Sequence, residues 1–461
     1  MKEFLKTERI DPNKRLVVER TKDFGEIYDI FGQNDAASQS DRCIQCGDPF
    51  CLNKCPLHNY IPQWLKSVAE KDLEFAFKLS NEPSPFPEVM GRVCPHDRLC
   101  EGDCTLNDGH GAITIGSIET HITESGFKAG YKPEFPGVTT DKKVAVIGSG
   151  PAGLSAATYL LRSGIAVTMY EGSDRAGGLL TYGIPNFKLD KKIVERRVSL
   201  LEEAGLKLIL NTKVGKEITF EEVADSHDAM FIGVGATKAK SAGLAGEKAS
   251  NVYAAMDYLT AIQRKNFKTA YDKKFDFKDL NVVVVGGGDT AMDCLRTAKR
   301  EGAKSVTCLY RRDEKNMPGS RKEYKNAMEE GVDFTFLVSP KEIILDESGK
   351  AISVEVIKTN LGAKDESGRQ RMEEVKGSEF RVNADIVIMS LGFDPVVPSF
   401  LAENGIETNS WGGIIINEET HETSTAGIYA GGDCFRGADL VVTAALDGRE
   451  AARNISKSLL K

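Results

Sequence analysis

Residues 142–154 read Lys142-Lys143-Val144-Ala145-Val146-Ile147-Gly148-Ser149-Gly150-Pro151-Ala152-Gly153-Leu154. Val144 to Ile147 is a short apolar, β-branched run of the kind that forms a buried parallel strand. Gly148, Gly150 and Gly153 follow at Gly-x-Gly-x-x-Gly spacing, and helical periodicity runs from Leu154 to Leu161. The first glycine permits a tight turn, the second lets backbone approach a pyrophosphate, and the third lets helix and strand pack closely. Ser149, Pro151 and Ala152 fill the turn and open the helix, whose N-terminus then faces the diphosphate. Two neighbouring features strengthen the reading. Ile165 to Tyr170 reads as a second strand ending at Glu171, 23 residues beyond Gly148, where a carboxylate accepts from a ribose 2′-OH. Ala176-Gly177-Gly178-Leu179-Leu180 then supplies a glycine pair where backbone lies close to a ligand. This stretch predicts a dinucleotide site rather than an empty βαβ turn.

The pattern repeats at Asn281-Val-Val-Val-Val-Gly286-Gly-Gly288-Asp289-Thr290-Ala291, with alanine at the third small position. The next strand, Ser305 to Tyr310, ends not on an acid but on Arg311-Arg312, 25 residues after Gly286. Guanidinium groups there pair with a 2′-phosphate, so the second nucleotide is expected to be NADP(H), with Arg321 a further candidate; the bland alternative is a solvated charged loop. Between the two motifs, Asp190 reads as the N-cap of a helix carrying Ile193, Val194, Leu200 and Leu201, and Phe231 to Ala236 as a strand ending in small residues. Residues 341–384 alternate Ile/Val with charge, as in an antiparallel insert, and Asp385 to Gly392 is another strand-to-glycine transition. Gly427 to Asp433 is a strand closing on an acidic residue, and Leu440 to Arg449 a helix. In two-nucleotide flavoproteins the chain returns here: Gly432 and Asp433 reach the ribityl–phosphate region, and a helix opening at Leu440-Val441 faces the ring. Asp433 as a simple helix cap is the competing reading.

Upstream of these domains the cysteines cluster. Of ten, seven lie between Cys43 and Cys104: Cys43-x2-Cys46-x4-Cys51-x3-Cys55-Pro56, then Cys94-Pro95-x4-Cys100-x3-Cys104. Such short thiolate loops, with proline after a cysteine, are closer to iron–sulfur runs than to a zinc ribbon, which wants two Cys-x2-Cys pairs. Structural zinc remains the alternative. Ile61 to Leu79 between the clusters reads as small core helices, Asn81 to Pro87 as a proline-rich loop, and Ala129 to Asp141 as a linker. The expected organisation is therefore α/β: a helical iron–sulfur domain at 1–140, then two Rossmann-like domains. The first dinucleotide domain (141–240 and 393–461) is interrupted by the second (241–392).

The 461 residues suit roughly three domains. A net charge of −8 argues against nucleic acid as a partner. The charged N-terminus is unlike a signal peptide, no apolar run approaches the ~20 residues of a membrane span, and clustered cysteines suit metal binding in a reducing compartment. The expectation is a cytoplasmic chain.

With these residues assembled, the chain from Cys43 to Arg449 resembles the small (β) subunit of NADPH-dependent glutamate synthase. The most specific strings are Gly91-Arg-Val-Cys-Pro-His-Asp-Arg-Leu-Cys-Glu-Gly-Asp-Cys104, Gly178-Leu-Leu-Thr-Tyr-Gly-Ile-Pro-Asn-Phe-Lys188, and Gly286 to Asp293 joined to Arg311-Arg-Asp-Glu. The resemblance implies FAD in the first Rossmann domain, NADPH in the second and two 4Fe–4S clusters at the N-terminus. It also implies interleaved ligands: Cys43, Cys46, Cys51 and Cys104 on one cluster, Cys55, Cys94 and Cys100 on the other. Seven thiolates are one short of eight, and the resemblance puts the eighth ligand at Glu119, at the start of a helix after Gly109 and Gly111; an ordinary helix-start Glu, and ligation by His110 or His121, are the alternatives. The family's partner is a large, FMN-containing subunit that makes glutamate from glutamine and 2-oxoglutarate. Lys2 after Met1 is not that subunit's nucleophilic cysteine. Similar modules occur in dihydropyrimidine dehydrogenase and in bifurcating ferredoxin:NADP oxidoreductases, so a stand-alone NADPH:ferredoxin or polysulfide reductase is the rival reading, and a zinc scaffold the third.

Overall fold

The computed structural model describes residues 3–364 and 370–460; any expectation touching residues 1–2, 365–369 or 461 lies outside the described residues. Val144, Ala145 and Val146 are fully buried because the strand Lys143–Ile147 lies at the centre of a five-stranded parallel sheet. The sheet order is Ile428–Ala430, Ala229–Ile232, Lys143–Ile147, Ala166–Tyr170, Lys207–Ile209. The helix Pro151–Arg162 covers one face, with the C-terminal helix Val441–Leu459 packed against it. Gly448 makes that approach possible: a Cβ there would sit 2.0 Å from the Ala152 carbonyl oxygen. The C-terminal helix runs ten residues past Arg449, because Ala451, Ala452 and Ile455 continue its buried face.

Lys238–Ala239 and Phe393–Asp394 pair antiparallel where the chain leaves and re-enters the neighbourhood of the first sheet. Between them a second parallel sheet is ordered Val252–Ala254, Ile386–Met389, Asn281–Val285, Ser305–Tyr310, Asp333–Phe336. The alternating segment forms antiparallel strands: Ala351–Lys364 pairs with Val338–Leu345, Gln370–Glu374 and Phe380–Asn383.

The cysteine-rich region is helical. Gln33–Asp41, Ile61–Ala69, Leu73–Asn81 and Ile115–Lys128 pack around Trp64, Ile118 and Ile122, and Pro87–Val93 packs against Ile115–Lys128. Glu119 is therefore not at a helix start but in the second turn, because the buried Ile115, Ile118 and Ile122 set the helical register. Buried ion pairs fix this domain against the rest. The Arg197 guanidinium meets the Glu88 carboxylate through two bonds of 2.7 Å. Arg20 joins Arg296 and Arg300 on Glu330; burial alone would raise that carboxyl, but the guanidinium groups hold it down to about 2. Arg449, on the C-terminal helix, donates to the carbonyls of Leu57 and Pro83 at 2.9 and 3.0 Å. No helix among the described residues is long and apolar enough to cross a membrane.

Candidate functional site

Seven cysteines and one carboxylate converge on two neighbouring cavities. The inner one is lined by Cys55, Cys94, Cys100 and Glu119, with Asn59, Trp64, Ser84, His96 and Val442. The outer one is lined by Cys43, Cys46, Cys51 and Cys104, with Phe50 and Thr105. Local geometry explains the interleaving. The short helix Phe50–Lys54 carries Cys51 toward the outer cavity, and Cys55, its C-cap, faces the inner one. The loop after Pro87–Val93 likewise gives Cys94 and Cys100 to the inner cavity and Cys104 to the outer. Ile115 lines both, so the two cavities are neighbours.

Burial pushes the Cys43 thiol up to about 11 and Cys51 to about 12, and raises Cys55, Cys94 and Cys100. It pushes the Glu119 carboxyl up to about 8, against the opposing hydrogen bond from Asn59. Such a desolvated donor set favours positive charge in the cavity, as a metal centre supplies. Among the described residues no three His, Cys, Asp or Glu groups close around a single ion; each set instead surrounds a void. Asn59 Nδ2 donates to Glu119 Oε1 at 2.7 Å, and Trp64 Nε1 donates to Asn59 Oδ1 at 3.3 Å. His121 Nδ1 instead lies 2.7 Å from the Phe31 carbonyl oxygen and His110 packs edge-on against Phe4; neither lines either of the two cysteine cavities. Cys294, Cys308 and Cys434 are buried in the nucleotide domains.

At the first glycine turn, Gly148 has φ +97°, and a Cβ on it would meet the Gly233 carbonyl oxygen at 2.5 Å. Gly150 is the N-cap of Pro151–Arg162 and faces open space, with nothing within 4 Å of its missing Cβ. Glu171 is fastened to this turn: Ser149 donates to it from N–H at 3.1 Å and from Oγ at 2.5 Å, and Ser173 N–H at 2.8 Å. Gly177 N–H donates to Ser149 Oγ at 3.0 Å, which brings Gly178 and the short helix Leu179–Tyr182 over Gly150. From the returning segment, Gly432 (φ +77°) and Asp433 approach the same turn, the missing Gly432 Cβ lying 2.9 Å from that of Ala152. Burial pushes the Asp433 carboxyl up to about 7, a group suited to a hydroxyl donor. Leu440 caps the helix that begins at Val441, and Val442, the next residue, lines the inner cavity. The nucleotide turn and that cavity thus share the same helix end.

At the second turn Gly286 has φ +133°, Gly288 is an N-cap facing open space, and Asp289 and Thr290 open the helix Asp289–Arg300. Arg311 and Arg312 follow Ser305–Tyr310, neither in an ion pair among the described residues, and Arg312 Nε is buried without a partner. Arg321 stands apart: its guanidinium donates to the carbonyls of Glu314 and Lys315 at 2.7 and 2.9 Å, bracing the loop after the arginine pair.

Several contacts had no sequence signal, because they join distant segments. Asp447 accepts from Gly432 N–H at 2.8 Å and pairs with Arg436. Lys191 Nζ gathers the carbonyls of Leu180, Ile184 and Leu189 beneath the Gly178 loop. Arg98, between Cys94 and Cys100, reaches Asp289 Oδ2 at 3.0 Å and so ties the cysteine loop to the second turn.

Two parallel sheets with glycine turns, one inserted in the other and flanked by a cysteine domain, define a two-nucleotide oxidoreductase with a metal-centre module. Comparison agrees part by part. Residues 142–448 match the family model described as pyridine nucleotide-disulphide oxidoreductase. Residues 20–131 match the one described as "Dihydroprymidine dehydrogenase domain II, 4Fe-4S cluster". The glutamate synthase [NADPH] small chain of Halomonas elongata is 48% identical over 98% of this chain and 97% of its own length. That of Escherichia coli is 47% identical over 98% of each. The putative oxidoreductase AegA of Escherichia coli is 46% identical over 97% of this chain but 69% of its own length. In fold, FprA from Mycobacterium tuberculosis aligns with TM-score 0.59 at 19% identity, over 69% of this chain and 85% of its own. The chain belongs to the family of the glutamate synthase small chains, and it is an oxidoreductase.

Proposed function

We propose that the chain is the electron-input subunit of an NADPH-dependent glutamate synthase. In this reading FAD lies on the Gly148–Gly153 turn with Glu171, Gly178, Leu179, Gly432, Asp433, Leu440 and Val441. NADPH lies on the Gly286–Thr290 turn with Arg311 and Arg312. One 4Fe–4S cluster is held by Cys55, Cys94, Cys100 and Glu119, and the other by Cys43, Cys46, Cys51 and Cys104. Bound there, FAD would take two electrons at once from NADPH and release them singly to the iron–sulfur centres. The partner is a large FMN-containing, glutaminase-bearing subunit that makes glutamate from glutamine and 2-oxoglutarate.

The observation that carries this reading is the sorting of eight donors into two sets of four around adjacent voids, the inner beside Val442. Each residue has a separable task. Asn59 and Trp64 orient Glu119; the open faces of Gly150 and Gly288 admit phosphates; Arg312, with its unpartnered Nε, is poised for the 2′-phosphate. Arg321 is the weaker candidate there, since loop carbonyls occupy its guanidinium. Half-exposed Cys46 and exposed Phe50 place the outer set near the surface, where a partner docks. The likeness to AegA supports a second reading, a reductase serving another acceptor. Purification of the native protein separates the two. The first expects a large glutaminase-bearing chain to co-purify, and glutamate formation only when it is present. Isolation of the chain alone, with NADPH:ferredoxin activity and no such partner, favours the second.

A further inference from the structure

Ser84 sits in the proline-rich turn between Leu73–Asn81 and Pro87–Val93, fully buried, and lines the inner cavity beside its four donors. Its hydroxyl has no hydrogen-bond partner in the protein. Leaving a buried hydroxyl unpaired costs its full desolvation, so a native structure that keeps one implies a partner. The turn is not loose. The carbonyl of Pro83 accepts from Tyr159 Oη at 2.8 Å and from Arg449 Nη1 at 3.0 Å, and Arg162 binds the carbonyls of Asn81 and Glu82 at 2.7 and 2.9 Å. The backbone beside Ser84 is thus clamped from two helices. His96 Nε2, the other unpartnered polar atom of this lining, is a donor only in one tautomer or when charged. A serine hydroxyl always has a proton to give. The outer lining has no unpartnered buried polar atom among the described residues, and its Thr105 Oγ1 is already 3.3 Å from Cys46 Sγ.

We propose that Ser84 donates its hydroxyl proton in a hydrogen bond to a sulfur of the centre in the inner cavity, and thereby raises that centre's reduction potential. Sulfide and thiolate sulfurs accept such bonds, and reduction adds negative charge to them. A donor therefore stabilises the reduced form more than the oxidised one. Ser84 is a positioning and tuning residue, not a ligand. The inference rests on the reading that the inner cavity holds a 4Fe–4S cluster.

The test is an EPR-monitored redox titration of the full chain with its clusters, in wild type, Ser84→Ala and Ser84→Thr, with iron analysis of each. The inner signal is identified as the one that Glu119→Ala perturbs. Ser84→Ala is expected to keep its iron while the inner centre becomes harder to reduce. At fixed ambient potential its oxidised-to-reduced ratio rises roughly tenfold, about 59 mV for a one-electron couple. The outer signal stays in place, and Ser84→Thr restores the wild-type value. In wild type, transfer to D2O shifts the iron–sulfur Raman bands of the inner centre, a readout that needs no variant. An unmoved potential in an iron-replete Ser84→Ala chain, or no deuterium shift in wild type, overturns the assignment while leaving the cluster reading intact. A wild-type chain without iron overturns the reading beneath it.

Discussion

Each parallel sheet turns through Gly-x-Gly after its central strand, at Gly148-Ser149-Gly150 in one and Gly286-Gly287-Gly288 in the other. The two sites then diverge. In the first, the next strand ends on Glu171, which Ser149 and Ser173 bind; in the second, it ends on Arg311-Arg312. The third small residue also differs. A Cβ at Gly153 would lie 1.9 Å from the Gly148 carbonyl oxygen, whereas the second site buries the methyl of Ala291 at the same step. On its other side the first helix also meets Val441–Leu459 closely, through Gly448. In the proposed function the shared turn is the diphosphate platform, and the strand end and the neighbouring helix decide what else each site accepts.

Substitutions at matched positions sharpen this contrast. Gly153→Ala should have the largest effect. Its methyl must displace backbone, at about 3 kcal/mol or on the order of a hundredfold in FAD affinity, read as the flavin content of the purified chain. Arg311→Ala and Arg312→Ala come next. A charge-assisted bond to the 2′-phosphate is worth roughly 1.5–3 kcal/mol, so the NADPH-over-NADH preference should fall by about one to two decades in kcat/KM, mainly through weaker NADPH use. Steady-state kinetics with both nucleotides check it; an unchanged ratio in both variants removes the arginine pair from the phosphate. Glu171→Gln leaves the donors of Ser149 and Ser173 without a charged acceptor and should weaken FAD about tenfold with no change in nucleotide preference, measured by flavin release on dilution. The smallest effect belongs to Ala291→Gly. The second turn should keep NADPH binding and lose at most about 1 kcal/mol of stability in denaturant unfolding.

Both turns were legible because glycine spacing, β-branched strands and the residue ending the second strand are local signals. Thiolate runs were legible for the same reason. Their partition into two sets came from resemblance, and spacing alone does not dictate it: Cys51 and Cys55 lie on one short helix and its cap yet face different cavities. Glu119 was foreseen as a helix-start residue but lies in the second turn, since buried isoleucines, not glycines, set the register. Asn59, Ser84, Asp447 and Arg98 carried no signal. Asn59 and Arg98 matter through partners 60 and 191 residues away, Asp447 through Gly432 and Arg436, and Ser84 through the cavity it lines; a polar residue in a loop looks alike whether it faces water or a cavity. Arg321 shows the converse: its position near the arginine pair was legible, but its engagement with the carbonyls of Glu314 and Lys315 was not.

In the proposed function one chain joins an NADPH site, a flavin site and two iron–sulfur centres into a single electron path. Anaerobic titration of the purified chain with NADPH tests it most directly, with optical absorbance and low-temperature EPR recorded at each addition. The expected result is flavin bands that bleach on NADPH, about eight iron per chain as for two 4Fe–4S clusters, and EPR signals from reduced centres as electrons accumulate. A chain that binds flavin and bleaches with NADPH, yet holds no iron in either cysteine set, would contradict it.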